Sequence, residues 1–170
     1  MTETIRSYTV VESPVGPLTL VAEDGRLVGL YMDDQRHRPE APTFGQRDDT
    51  AEPFEAAREQ LAEYFAGERT TFDLPLAPHG TPFQRSVWAA LQEIPYAKTW
   101  SYGELAEHIG NPKASRAVGL ANGRNPIGIV IPCHRVIGRS GSLTGYGGGL
   151  ERKRSLLDLE RTTSDVGGEG

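Results

Sequence analysis

One cysteine, Cys133, occurs in the 170 residues, which excludes an internal disulfide framework and a zinc site built from several cysteines. Long apolar runs are missing too: nowhere do eighteen apolar residues follow one another, so no membrane-spanning helix is expected. The opening MTETIRSYTV lacks the basic flank and apolar stretch of a secretory signal. From these absences we expect a soluble, cytoplasmic protein. What is present is ordinary for a folded chain, with 37% hydrophobic and 24% charged residues, and the length suits one sizeable domain or two small ones.

The net charge of −5 argues at first against nucleic acid, but the sum hides an asymmetry. Residues 1–110 carry nine Lys/Arg against eighteen Asp/Glu. Residues 111–154 reverse this, with Lys113, Arg116, Arg124, Arg135, Arg139, Arg152, Lys153 and Arg154 opposed only by Glu151. Phosphates respond to local cation density rather than to the whole-chain sum, so an anionic partner is compatible with the acidic total. The plainer reading of such a block is a solvated basic face.

The first third has the pattern of strands. Ser7–Glu12, Leu18–Ala22 and Leu27–Met32 are short, rich in Val, Leu, Thr and Tyr, and separated by turn signals, with Glu23-Asp24-Gly25 suited to a tight hairpin. Residues 33–50 are polar, carry Pro39, Pro42 and Gly45, and are expected to be loop. Phe54, Ala57, Leu61, Tyr64 and Phe65 then recur at helical spacing up to Gly67, and Thr71–Leu74 could return to the sheet. Pro75, Pro78, Gly80 and Pro82 mark a linker.

Helices are expected beyond it. Thr81-Pro82 opens one with Phe83, Val87, Ala90, Leu91 and Ile94 on a single face. Ser101 and Glu104 form a capping box for a second, closed near Gly110. After the turn at Asn111-Pro112, Ala114–Ala121 forms a third, and the pair suggests a helix-turn-helix. The fold class is therefore α/β: an N-terminal β-sheet with a flanking helix over 1–78, then a mainly helical domain over 79–160 with a winged helix-turn-helix. A flexible tail is expected over 161–170.

Chemistry concentrates in Asn125–Ile137. The apolar residues Ile127–Ile131 should run inside and deliver Pro132-Cys133-His134-Arg135 at their end. A lone cysteine is most often a small buried hydrophobe. Here His134 and Arg135 adjoin it, and such neighbours lower a thiol pKa toward the nucleophilic thiolate. Adjacent side chains in extended chain point opposite ways, so His134 would need a turn or a bridging water to take the thiol proton. His37, His79 and His108 show no mutual spacing that suggests a metal, and Gly147-Gly148-Gly149 lacks the lysine of a phosphate-binding P-loop.

Pro132-Cys133-His134-Arg135-Val136 resembles the active-site motif of the O6-alkylguanine-DNA alkyltransferases. Ser101-Tyr102-Gly103-Glu104-Leu105-Ala106, Asn111–Gly119, Asn125-Pro126, Gly145–Leu150 and the Lys153…Leu156-Leu157…Glu160 pattern resemble the same family in the same order. The resemblance implies that Cys133 accepts the alkyl group, that His134 acts as base through a water, and that Glu160 orients the imidazole. It gives Tyr102 to hydrogen-bonding the extruded base, Asn125 to bracing the turn before the active site, and Arg116 to the stack the base has left. It places Lys113, Ala114, Ser115, Ala117, Gly119 and Arg124 against DNA, and Val136, Tyr146, Gly147 and Gly148 around the base pocket.

A flipped nucleotide is a chemical necessity here, because the target atom is unreachable inside a stacked duplex. The resemblance implies no cofactor or metal, since nucleophile, base and acid are all side chains, and no cysteine precedes Cys133 to build the zinc site of some relatives. Ser155 stands where many members carry tryptophan. The implied partner is double-stranded DNA containing O6-alkylguanine, met by a monomer; O4-alkylthymine and cooperative binding stay open. Two rivals are a non-catalytic binder of alkylated DNA, against which the thiol argues, and a cysteine hydrolase, which would leave the basic helices unused.

Overall fold

The structure is a computed structural model and describes residues 5–35, 38–138 and 146–167, with side chains as far as 163. Three antiparallel strands begin it: β1 (Arg6–Val11), β2 (Leu18–Glu23) and β3 (Arg26–Met32). Asp24 and Gly25 both have positive φ, 52° and 80°, as a two-residue hairpin loop matching the strand twist requires. The polar stretch expected to be loop contains short regular elements. It forms a 3-10 turn at Ala41–Phe44 and a two-residue strand, β4 (Gln46–Arg47), parallel to β1, so the sheet order is β3-β2-β1-β4. A strand that short leaves almost no period for a sequence pattern to show.

Helix α1 (Phe54–Phe65) turns Phe54, Ala57, Leu61 and Tyr64 inward, as its spacing requires. Thr71–Leu74 is not a strand. The chain meets the sheet only at Leu76, where Leu27 donates to the Pro75 carbonyl and Ala77 to the Leu27 carbonyl, both at 2.8 Å. Further along β3, Leu30 donates to the Pro126 carbonyl at 2.8 Å, and a bridge pairs Leu30 with Ile127. The proline-rich linker and the active-site segment therefore cover one edge of the sheet, where bare backbone groups would otherwise need water. One apolar core, from Leu18 on β2 to Leu156 near the C-terminus, runs through both halves.

The second half opens with α2 (Pro82–Leu91), capped by the reciprocal Thr81 and Gln84 hydrogen bonds; Ile94, expected on its face, lies past its end but is buried. Strand β5 (Trp100–Ser101) leads into α3 (Tyr102–His108), whose Ser101/Glu104 capping box is formed. A 3-10 turn at Pro112–Ala114 then carries the chain into α4 (Ser115–Gly123). Strand β6 (Val136–Ile137) pairs in parallel with β5 beside these helices. Finally α5 (Leu150–Gly167) continues through Arg161 to Gly167, where a flexible tail was expected. The fold is thus the anticipated N-terminal sheet with its helix, followed by a mainly helical half. No helix among the described residues is long and apolar enough to cross a membrane.

Candidate active site

The segment after α4 is buried from Ile127 through Val136, but it is wound rather than extended. Asn125 holds the winding: its Nδ2 donates to the Ile131 carbonyl at 2.8 Å and its Oδ1 accepts from Ile127 N at 3.0 Å. Ile129 sits inside this clamp at φ 70°, a conformation that costs a β-branched residue about 1–3 kcal/mol. The expected bracing role of Asn125 thus has a geometric basis. Past the clamp, Cys133–Arg135 forms a single 3-10 turn, so the thiol and imidazole are not on opposite faces of a strand.

His134, Arg135 and Glu160 form a buried cluster. His134 Nε2 lies 2.7 Å from Glu160 Oε2, with both side chains fully buried. Arg135 grips the same carboxylate with both ends, Nε to Oε1 at 2.9 Å and Nη2 to Oε2 at 3.1 Å, while its Nη1 donates to the Ile94 carbonyl at 2.8 Å. Tyr64 of α1 donates its hydroxyl to Oε2 at 2.6 Å, and Ala97 N donates to Oε1 at 3.2 Å. Burial would raise the Glu160 carboxyl, but the hydrogen bonds and charges of His134 and Arg135 outweigh it and hold the pKa at about 2.

Burial pushes the His134 pKa down, against the pull of Glu160. With Arg135 already balancing the carboxylate, His134 is neutral and donates from Nε2. That tautomer leaves Nδ1 as the basic atom, and Nδ1 is buried without a hydrogen-bond partner among the described residues. A neutral base with one open nitrogen is what proton removal requires.

The thiol departs from expectation. Desolvation raises the Cys133 pKa, and the opposing hydrogen bond from Asn125 and charge of Lys153 do not reverse it. Arg135 is spent on Glu160 rather than on sulfur. The resting group is therefore a thiol, and ionisation must accompany reaction. Lys153 is fully buried, its Nζ donates to the Val136 carbonyl at 2.6 Å, and burial brings its pKa down to about 8.

Two clefts adjoin at Gly123, Tyr146 and Gly147, and Cys133 lines one of them. The narrow one is lined by Cys133, Asn125, Tyr146, Gly147 and Gly148, joined by Asn122 and, from the N-terminal half, Gln35. The wider one, about 640 Å³, is lined by Phe83, Tyr102, Ala117, Gly119, Leu120, Arg124, Tyr146 and Gly147, among others. Tyr102 lies against α4, its ring 3.5 Å from where a Cβ on Gly119 would stand. Arg116 and Lys113 are exposed near the start of α4 and Ala114 and Ser115 half-buried there, outside both linings. Val136 is buried in β6 behind the clefts rather than in their lining, contrary to expectation.

Of the other residues singled out, His79 pairs with Glu23 at 3.2 Å and His108 with Glu93 at 2.8 Å, both near the surface. His37, Arg139 and Gly145 lie outside the described residues. No group of three or more His, Cys, Asp or Glu placed to hold a metal occurs among the described residues. Tyr64, Ala97, Asn122 and Gln35 were not anticipated at the site; nothing local in the sequence marks them, because each arrives from a different element.

Comparison with known proteins agrees with this geometry. Residues 7–78 match the family described as "6-O-methylguanine DNA methyltransferase, ribonuclease-like domain", and residues 82–162 match "6-O-methylguanine DNA methyltransferase, DNA binding domain". A methylated-DNA--protein-cysteine methyltransferase of Mycolicibacterium paratuberculosis is 57% identical over 92% of this chain and 93% of its own. One from Methanosarcina acetivorans is 53% identical over 90% and 97%. The crystal structure of Mycobacterium tuberculosis OGT in complex with DNA superposes with a TM-score of 0.88 at 54% identity, covering 92% of this chain and 94% of that one. Matched along nearly its whole length, the chain belongs to the 6-O-methylguanine DNA methyltransferase family.

Proposed function

We propose that this protein repairs DNA by direct reversal, transferring the methyl or larger alkyl group from O6 of guanine to its own Cys133. The observation that carries the reading is Cys133 lining a cleft, with His134 on the same 3-10 turn paired to the buried Glu160 of α5. The Sγ–C bond forms as the C–O6 bond breaks. His134 Nδ1 takes the thiol proton through a bridging water, and the Tyr102 hydroxyl supplies a proton to the departing guanine, which leaves neutral. A thioether has no easy route back to thiol, so each molecule acts once. O4-alkylthymine is a second candidate substrate in the same cleft.

Residues 79–160 act as the DNA-binding and catalytic unit and 1–78 as its support, in a cytoplasmic monomer on duplex DNA. Arg116, Lys113 and Arg124 supply cations, while Ala114, Ser115, Ala117 and Gly119 keep α4 slim enough to approach the duplex. Mixing the protein with duplex containing O6-methylguanine should add one methyl group per molecule, located by mass on the Cys133 peptide. DNA binding without mass change would instead favour a non-catalytic binder, and ester hydrolysis without methyl gain a cysteine hydrolase.

Arg116 is exposed at the first turn of α4 and has no ion pair among the described residues, which suits it to fill a vacated stack. Extrusion of a nucleotide costs roughly a few kcal/mol, and a side chain in the gap offsets part of it. Arg116→Ala should slow transfer from duplex about tenfold, while transfer from the free O6-alkylguanine base falls far less. Equal losses on both substrates would reject this role.

A further inference from the structure

Asn122, on the last turn of α4, is 3% exposed, yet its Oδ1 has no hydrogen-bond partner among the described residues. An unpaired buried polar atom costs about 1–3 kcal/mol, so such atoms are rare and call for an explanation. Asn125, three residues on, shows the usual outcome, with both ends of its amide engaged. Asn122 instead lines the narrow cleft beside Cys133, Tyr146 and Gly148.

Its backbone is held on both sides. Trp88 Nε1 donates to the Ala121 carbonyl at 2.8 Å, and Asn125 N donates to the Asn122 carbonyl at 3.3 Å. A leucine, with the same branched arrangement of side-chain heavy atoms, would occupy the position without an unpaired oxygen. The structure thus carries a carboxamide on a fixed backbone, its buried oxygen without a partner among the described residues, on a residue that lines the cleft of the reactive sulfur.

The base chemistry says what this oxygen can meet. Alkylation at O6 removes the N1 hydrogen of guanine, leaving the N2 amine as the only N–H donor on the base. O4-alkylthymine has no N–H donor at all. An acceptor that reads the extruded base can therefore recognise the N2 amine and nothing else.

We propose that Asn122 is a specificity-determining residue: its carboxamide oxygen, unpaired beside Cys133, accepts from the N2 amine of the extruded O6-alkylguanine and so favours alkylated guanine over alkylated thymine. This rests on the alkyl-transfer reading above. A site built to pair with such a donor discriminates against an analogue that lacks it, because its own buried group is then left unpaired.

The test compares single-turnover transfer from duplexes carrying O6-methylguanine or O6-methylhypoxanthine, which differ only in the N2 amine, with O4-methylthymine as a third substrate. The wild-type protein should prefer guanine to hypoxanthine by about tenfold or more. In Asn122→Leu that ratio should collapse toward one, and O4-methylthymine should gain relative to O6-methylguanine. Asn122→Ala, a second truncation, should show the same collapse should the leucine variant fold poorly. Equal wild-type rates on the two purines, or a ratio unchanged in the variants, would overturn the assignment. Absence of methyl gain on the wild-type Cys133 peptide with every base would instead bring down the alkyl-transfer reading, and this inference with it.

Discussion

The Cys133→Ala protein should bind duplex DNA and take up no methyl group, to the limit of detection by mass. Cys133 is the only cysteine in the chain, so no second thiol can act as acceptor. The rest of the site should survive the change. Glu160 receives its hydrogen bonds from Tyr64, Ala97, His134 and Arg135, none of which depends on sulfur. Burial raises the thiol pKa, so the substitution removes a neutral group and leaves no charge unbalanced. Deleting one buried sulfur costs roughly 1 kcal/mol, a modest fraction of the stability of a domain this size. The cleft walls from α3 and α4 and the cations of α4 stay in place, and with them the affinity for DNA. Methyl gain at any other residue, or loss of folding, would contradict the assignment of Cys133 as acceptor.

Local chemistry was legible in the sequence. The Asp24-Gly25 turn, the spacing of Phe54 to Phe65, the Thr81-Pro82 helix start and the capping box at Ser101 each depend on residues a few positions apart, and each is formed. Motif order reached further and brought Cys133, His134, Asn125 and Glu160 to one place. What the sequence hid depends on distance along the chain. Tyr64 has the pattern of a core position on α1, yet its hydroxyl meets a carboxylate 96 residues away. As a sequence neighbour Arg135 would acidify the thiol; only the fold shows it turned onto Glu160. The thiol pKa followed the same course, since proximity in sequence suggested activation and burial in space opposes it. Strand β4 and the bridge at Leu76 escaped because so few residues carry no period.

Glu160→Gln should be the most damaging change to stability and should also slow transfer steeply. The carboxylate is fully buried and accepts from Tyr64, Ala97, His134 and Arg135 together. An amide of the same shape keeps one acceptor and turns an NH₂ group toward donors. It also removes the charge that balances Arg135, itself only 6% exposed. Breaking a buried pair on one side costs about 3–5 kcal/mol, which for a chain of this length corresponds to a fall in Tm of roughly 10 °C. The imidazole loses its acceptor at Nε2, so the tautomer that leaves Nδ1 basic is no longer fixed, and transfer should slow by at least about a hundredfold.

Acid separates this account from a merely disruptive substitution. The Glu160 pKa is depressed to about 2 in the fold, so its contribution is complete above the unfolded-state value of about 4.3 and is lost as pH falls toward 2. A depression of that size corresponds to about 3 kcal/mol, the same order as the cost of breaking the pair. The other groups facing the carboxylate are Arg135, which stays charged throughout, Tyr64 and Tyr96, which stay neutral in acid, and His134. Lys153 stands earlier on the same helix, cationic in acid. His134 also costs stability on the acid side, because its folded pKa is lowered and the unfolded chain takes up its proton first; that loss begins near pH 6.5 and is the larger in Glu160→Gln, which lacks the pull of the carboxylate on the imidazole. The Tm values of wild type and Glu160→Gln should therefore stand well apart from neutral pH down to about pH 5 and converge as pH falls from about 4 toward 2. A gap that stays constant through that range would mean that Glu160 acts by shape alone, and that the charge on its carboxylate neither balances Arg135 nor sets the proton affinity of His134.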